Sequence, residues 1–296
     1  MSSKHALVTG ALGFTGRFMV DELRRYGYRV TEMGSQPSSE ADYRQVDLTD
    51  AQSVMRCLAD VQPDYVVHLA AIAFVHHGDA NAFYQVNLIG THNLLQAVAA
   101  MGKPVRRVLL ASSANVYGNA TSGMITEAAE LAPANDYAVS KMAMESMARL
   151  WQDRLPLVIT RPFNYTGAGQ SEQFLLPKIV AHFRHRAPVI ELGNLDVSRD
   201  FSDVRALAEA YRRLLEADSA GKTVNVCSGR CHSLADVISL CERISGHRLE
   251  IRVNPAFVRA NEVRSLWGSA DYLRGLIGEW QTPPLEETLS WMLNQA

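Results

Sequence analysis

Eight residues near the amino end constrain this chain more than any others. Thr9-Gly10-Ala11-Leu12-Gly13-Phe14-Thr15-Gly16 stands between a short β-rich run, His5–Thr9, and a helical pattern, Phe14–Tyr26. In a strand–turn–helix unit of this kind each glycine has its own task. Gly10 permits the tight turn, Gly13 lets the backbone approach a ligand, and Gly16 lets the helix pack close to the strand. The helix N-terminus then faces the loop with its amides and positive dipole end, a setting suited to a pyrophosphate. The glycines are spaced three and three, not two and three as in the commonest dinucleotide fingerprint, so the flanking strand and helix carry the reading.

The alternation continues along the chain. Tyr28–Met33, Tyr65–Leu69, Arg107–Ala111 and Leu157–Thr160 read as strands, with helical stretches at Ala51–Ala59, Phe83–Met101 and Tyr137–Trp151 between them. Strands alternating with helices predict an α/β fold, a doubly wound parallel sheet of the Rossmann kind. After Arg161–Pro162 the rhythm changes and glycines cluster at Gly167 and Gly169. The expected division is a dinucleotide-binding domain over 1–165 and a smaller α/β substrate-binding region over 166–199 and 229–296. Helix Val204–Leu215 and strand Thr223–Cys227 return to the main sheet in this reading. Phe174–Val189 and the tail from Leu234 form a lid over the carboxyl ends of the strands, where specificity commonly resides.

Within this frame Tyr137-Ala138-Val139-Ser140-Lys141 sets a phenol and an amine four residues apart, on one helical face. A phenol titrating near 10 is a poor acid–base group at neutral pH, and a neighbouring ammonium brings it towards the working range. Lys141 also has the reach to hold the nicotinamide ribose. Cofactor choice is read from the end of the second strand, Glu32-Met33-Gly34-Ser35. Gly34 occupies the position where an acidic residue selects the unphosphorylated ribose, so nothing there repels a 2′-phosphate. Arg17 either pairs with that phosphate or is a solvated helix arginine, and Asp47 either contacts adenine or is a turn aspartate. The expectation is NADP(H), with NAD(H) possible.

Composition bounds the alternatives. The chain has 296 residues, 47% of them hydrophobic and 20% charged, with a formal charge of −2. That suffices for a large core and lacks the basic footprint of a general nucleic-acid binder. No apolar run approaches the roughly 18 to 20 residues of a membrane span, and the start reads as a strand and not as a secretion signal. A soluble, cytoplasmic protein is expected. Cys57, Cys227, Cys231 and Cys241 are too few and scattered for a disulfide framework. Cys227, Cys231 and His232 lack a second ligand pair, so they read as thiols and not as a metal site.

Taken together, the glycine loop, His68-Leu69-Ala70-Ala71, Asn87, Ser112-Ser113-Ala114-Asn115-Val116-Tyr117-Gly118, the Tyr137–Lys141 pair and Arg161-Pro162-Phe163-Asn164 resemble the extended short-chain dehydrogenase/reductases over nearly the whole chain. The resemblance implies a catalytic set of Ser113, Tyr137 and Lys141. It also implies a cofactor site lined by Gly10, Gly13, Phe14, Thr15, Gly16, Arg17, Asp47, Leu48, Leu69, Ala70, Ala71, Asn87 and Phe163. Arg161–Gln170, Ser198-Arg199-Asp200-Phe201-Ser202-Asp203-Val204 and Arg259-Ala260-Asn261-Glu262 are similar to the GDP-sugar branch of that family. On that likeness Asn164, Arg199 and Arg259 meet the diphosphate or sugar and Glu262 the nucleotide ribose, with Lys178 and Ser113 in the same pocket. Each arginine is equally of a type found in surface ion pairs. A homodimer through the Phe83–Met101 and Tyr137–Trp151 helices is implied by the same analogy.

Three reactions share this scaffold. A 4,6-dehydratase needs a carboxylate beside the reacting serine or threonine, and related dehydratases carry a glutamate two positions after it. Asn115 stands there, and an amide takes no proton at neutral pH. An epimerase must retain its cofactor tightly, which fits Gly34 poorly. A reductase needs hydride, a proton donor and a held ketone. The expectation is therefore reduction of the C4 ketone of a nucleotide-diphosphate 4-keto-6-deoxy sugar, GDP-4-keto-6-deoxy-mannose foremost. A dinucleotide-sensing regulator on the same fold would have no need of Tyr137 and Lys141.

Overall fold

A computed structural model describes residues 4–73, 79–118, 123–258 and 263–295. β1 (His5–Thr9) leads through the glycine turn into α1 (Phe14–Arg25), and β2 (Arg29–Gly34) and β3 (Tyr43–Gln45) come next. α2 (Ala51–Val61) is capped by Asp50, whose carboxylate accepts from the Gln52 and Ser53 amides, which satisfies two otherwise orphaned donors. β4 (Tyr65–His68) ends at the histidine of the His-Leu-Ala-Ala string.

The helix expected over Phe83–Met101 is three pieces: α3 (Ala80–Phe83), a π-helical segment (Tyr84–Gly90) and α4 (Thr91–Ala99). The cause lies in tertiary contacts. Asn87, inside the π segment, hydrogen-bonds both the N–H and the C=O of Ile72 and donates to Ser140 Oγ. Thr91 Oγ1 donates to the Asn87 carbonyl. Wide turns of this type are found where a side chain must be aimed at a functional site.

β5 (Arg107–Ala111), α5 (Asp136–Arg149) and β6 (Leu157–Pro162) follow, then β7 (Asn164–Thr166), α6 (Leu175–Arg184), β8 (Val189–Leu192), β9 (Ser198–Arg199) and β10 (Phe201–Asp203). Next come α7 (Val204–Glu216), β11 (Lys222–Val226), β12 (His232–Ser233), α8 (Leu234–Ser245), β13 (Glu250–Val253), β14 (Ser265–Leu266), α9 (Asp271–Ile277) and α10 (Leu285–Asn294). The central sheet has seven parallel strands in the order β11-β6-β5-β4-β1-β2-β3. This is the doubly wound sheet that the alternation predicts. β11 sits at one edge, in register with β6 from Lys222–Val158 to Val226–Pro162.

The strands are buried on both faces, as a parallel sheet under two helical layers requires. On β1, Ala6 and Val8 enter one core with Met19, Leu23 and Leu214, while Leu7 enters the other with Leu94, Leu95 and Met144. A third core, including Ile179, Phe183, Val237, Ile238 and Leu289, lies among α6, α8 and α10. Small sheets outside the main one join β7 to β10, β13 to β8, and β9 to both β12 and β14.

Candidate active site

The glycine turn is built as its residues dictate. Gly10 has φ +69 and donates its N–H to the Met33 carbonyl at 2.8 Å. A Cβ there would lie 2.8 Å from the Ala70 nitrogen, so the Leu69–Ala71 segment runs directly against the turn. A Cβ on Gly16 would meet the Gly10 carbonyl oxygen at 2.1 Å, so only glycine lets α1 approach this closely. Gly13 is the N-cap of α1 and makes no side-chain cap, which leaves the first amides of the helix for an anion. These features fit the diphosphate of a nicotinamide dinucleotide.

Several cofactor candidates have specific local partners. Arg17 Nε donates to the Leu12 carbonyl at 3.1 Å, drawing that exposed side chain back along the loop. Asp47 Oδ1 accepts from Thr49 N and Oγ1, and Leu48 is buried in the core. Asn87 is occupied in fastening Ile72, after β4, to Ser140 on α5. At Gly34 a Cβ would lie 2.8 Å from the Tyr43 hydroxyl, a second reason for glycine at that strand end.

His68 supports the same strand ends. Thr91 donates to the Asn87 carbonyl, so its oxygen accepts from His68 Nε2, while Nδ1 accepts from Thr9 Oγ1. Thr9 Oγ1 in turn accepts from the Ala70 amide. Burial, with the Lys141 charge nearby, lowers His68 to about 3, so it is a neutral spacer.

Asn135 caps α5 through the Ala138 amide and so fixes the first turn, where Tyr137 stands. Tyr137, Lys141 and Ser113 are all buried. Burial raises Tyr137 to about 12, opposite to the lowering that its spacing from Lys141 predicts, because desolvation of the phenolate outweighs the opposing Ser113 hydroxyl. Lys141 Nζ donates to the Ala111 carbonyl at 2.8 Å. Burial lowers its pKa to about 8, and the Glu145 charge opposes that shift. Ser113 Oγ also accepts from the Asn115 amide at 3.2 Å. A serine hydroxyl, a phenol and an amine thus converge beyond the end of β5, the crevice where doubly wound sheets carry their chemistry.

Phe163 is buried against Gly268, whose Cβ would lie 2.5 Å from its ring, and its amide bonds to the Val226 carbonyl. Asn164 is exposed on β7, opposite Phe201. Arg199 Nη1 donates to the carbonyls of Ser198 and Arg264. Lys178 Nζ donates to the Glu191 carbonyl and sits 4.4 Å above the Phe257 ring centre. In the same string as Arg199, Asp200 is fully buried and accepts from the Ser228 and Gly229 amides. Arg259 and Glu262 lie outside the described residues.

The sequence reading overlooked two groups. Tyr165 stacks on Phe14 with ring centres 6.3 Å apart, and its hydroxyl lies 2.8 Å from Thr15 Oγ1, tying β7 to the glycine loop. Those partners are 150 residues apart, and no local pattern announces the contact. Glu145 is fully buried and receives both Arg161 Nε and Nη2. Here a signal existed, since Glu145 follows Lys141 by four residues on one helical face.

A glycine cradle at the head of a parallel sheet, with a Tyr–Lys pair and a serine at its carboxyl end, defines an oxidoreductase of the nicotinamide-dependent Tyr–Lys class. Residues 6–227 match the family described as NAD dependent epimerase/dehydratase. GDP-6-deoxy-D-talose 4-dehydrogenase of Aggregatibacter actinomycetemcomitans is 35% identical over 272 residues, covering 92% of this chain and 90% of that protein. A crystal structure from Burkholderia cenocepacia J2315, described provisionally as an epimerase, is 50% identical with TM-score 0.92, covering 99% of this chain and 97% of that one. The structure of RMD from Pseudomonas aeruginosa complexed with NADPH is 32% identical with TM-score 0.85, covering 98% of both chains. Other relatives include a GDP-6-deoxy-D-mannose reductase, dTDP-glucose 4,6-dehydratases and UDP-glucose 4-epimerases. The chain belongs to the NAD dependent epimerase/dehydratase family, the extended short-chain dehydrogenase/reductases, whose members use NAD(P). Among the described residues no helix is long and apolar enough to cross a membrane.

Proposed function

We propose that this enzyme reduces the C4 ketone of a nucleotide-diphosphate 4-keto-6-deoxy sugar, with GDP-4-keto-6-deoxy-mannose the foremost candidate. The observation that carries the reading is that Ser113, Tyr137 and Lys141 are all buried at the carboxyl end of β5, where Lys141 Nζ reaches the Ala111 carbonyl, with Asn115 where a dehydratase needs a carboxylate. The GDP-6-deoxy-hexose relatives point to the same substrate class. Bound NAD(P)H supplies the hydride. Tyr137 gives its proton to the C4 oxygen, Ser113 hydrogen-bonds that oxygen, and the Lys141 ammonium stabilises the phenolate left behind until solvent reprotonates it. One ketone, one hydride and one proton make one alcohol.

The glycine cradle and the 69–71 segment hold the dinucleotide, with Gly34 and Arg17 favouring NADP(H) and NAD(H) as the alternative. Asn164, Lys178, Arg199, Arg259 and Glu262 are the proposed contacts to the nucleotide diphosphate, on a substrate region formed by 166–199 and 229–296. The helices around the π segment and α5 are the proposed homodimer face. Ile89 and Leu150 there are 42% and 81% exposed, the kind of apolar exposure that a second copy covers.

Incubation with a panel of nucleotide 4-keto-6-deoxy sugars, followed by NADPH absorbance, tests this. A reductase consumes one cofactor per product, and NMR reads the C4 configuration. An epimerase turns over with none consumed, and a sensor does neither. The same protein given GDP-mannose and oxidised cofactor should form no keto-sugar. Robust dehydration would overturn the assignment and show that another carboxylate does the work.

A further inference from the structure

Directly behind the site lies a closed polar network that the proposed reaction does not use. Glu145, on α5 one turn beyond Lys141, is fully buried. Its carboxylate accepts Arg161 Nε at 2.9 Å and Nη2 at 2.7 Å, Ser112 Oγ at 2.6 Å and Arg149 Nη2 at 3.1 Å. Arg161 Nη1 continues to the Tyr117 hydroxyl, which donates to Asn225 Oδ1 on β11. We propose that Glu145 is a positioning residue for hydride transfer, pinning the Ser112–Ser113 strand end to α5 and supplying the negative charge that faces the Lys141 ammonium.

Two requirements meet at this carboxylate. Ser113 and Tyr137 come from different elements, and near-attack geometry tolerates little relative drift between them. Ser112, the immediate neighbour of Ser113, is the residue of that strand end whose side chain is bonded to α5 through Glu145. The second requirement is charge. Lys141 is buried, its hydrogen bond to Ala111 goes to a neutral carbonyl, and Glu145 is the acid whose charge supports its protonated form. The other titratable or charged groups around the pair are Tyr137 on the same helix, neutral His68 on β4, Arg161 on β6, Tyr117 after β5, and Arg149 at the solvent edge. Both arginines are bound by Glu145, and among the described residues Glu145 is the charge that supports the Lys141 ammonium.

This inference rests on Lys141 acting through its charge, as proposed above, and its primary readout needs no substrate. The pH titration of the Lys141 side chain, followed by NMR on protein with isotope-labelled lysine, reports the protonation of that amine directly. In Glu145→Gln the Lys141 transition is expected about one pH unit lower or more, for a charge this close in a buried setting. Glu145→Asp should recover most of the shift. The alkaline limb of kcat should move down with it, while KM for the cofactor stays within about twofold. An unchanged Lys141 transition in folded Glu145→Gln overturns the proposal. Should that variant fail to fold, Ser112→Ala carries the test, since it leaves the Glu145–Arg161 pair intact. It is expected to lower kcat about tenfold with cofactor affinity kept, and wild-type kcat would overturn the positioning role. A wild type that reduces no 4-keto sugar, with the Lys141 titration shift present, rejects the assigned reaction and not the role of Glu145.

Discussion

Lys141→Met should make this protein more stable at neutral pH while stopping its chemistry. Lys141 is 4% exposed, and burial lowers its pKa from 10.5 to about 8. A lowered pKa on a base means that the folded state disfavours the charged form. At pH 7 the amine is charged in both states, and the folded state carries the penalty, about 3 kcal/mol for a shift of that size. Between about pH 8 and 10.5 the unfolded chain binds more protons than the folded one, so stability rises with pH across that window as the penalty is relieved. Methionine keeps the alkyl stem and removes the charge, and it forfeits the bond to the Ala111 carbonyl, worth about 1 to 2 kcal/mol when the partner stays buried. The net expectation at pH 7 is a gain of about 1 to 2 kcal/mol. Urea unfolding of wild type and variant at about pH 7 and pH 10.5 is the assay. The variant's advantage should vanish or reverse at the higher pH. A variant less stable at pH 7 by more than about 1 kcal/mol, or a difference that does not change with pH, would refute the argument that Lys141 is held charged against its burial.

Tyr137→Phe should retain cofactor affinity within about twofold and lose about two to four orders of magnitude in kcat, because only the proton donor is removed; activity within about threefold of wild type, on the order of 1 kcal/mol or less in the barrier, would exclude Tyr137 as the acid. Gly34→Asp should move the NADPH-to-NADH ratio of kcat/KM towards NADH by introducing a carboxylate at the ribose-sensing position. Because a Cβ there lies 2.8 Å from the Tyr43 hydroxyl, the variant should also melt lower than wild type, and Gly34→Asp/Tyr43→Phe should regain part of that loss. An unchanged cofactor ratio would place ribose recognition elsewhere.

What could be read in the sequence was what is decided locally. The turn at Gly10, the close packing at Gly16 and the shared face of Tyr137 and Lys141 follow from backbone freedom and helical period, and each stands in the structure where that logic puts it. The π segment was invisible because its cause, the reach of Asn87 to Ile72 and Ser140, joins elements distant in sequence. The same holds for Tyr165 against Thr15. Lys178 and Arg199 read as basic residues facing a diphosphate, and the structure adds the Glu191 carbonyl as a partner of the first and the Ser198 and Arg264 carbonyls as partners of the second, contacts that depend on strand pairings no local pattern shows. Arg161 was legible as part of a string, and only burial reveals that its guanidinium faces inward to Glu145.

The place of β11 at the sheet edge also bears on how the chain is made. β6 ends at Pro162, and the strand that covers its open side ends at Val226, roughly sixty residues later. Ribosomes add about 5 to 20 residues per second, so the nascent sheet carries an uncovered apolar strand for about 3 to 12 s in every round of synthesis. Exposed strand edges template pairing with other chains. Slowing codons between 162 and 226 should therefore lower soluble yield more than the same codons placed after 226.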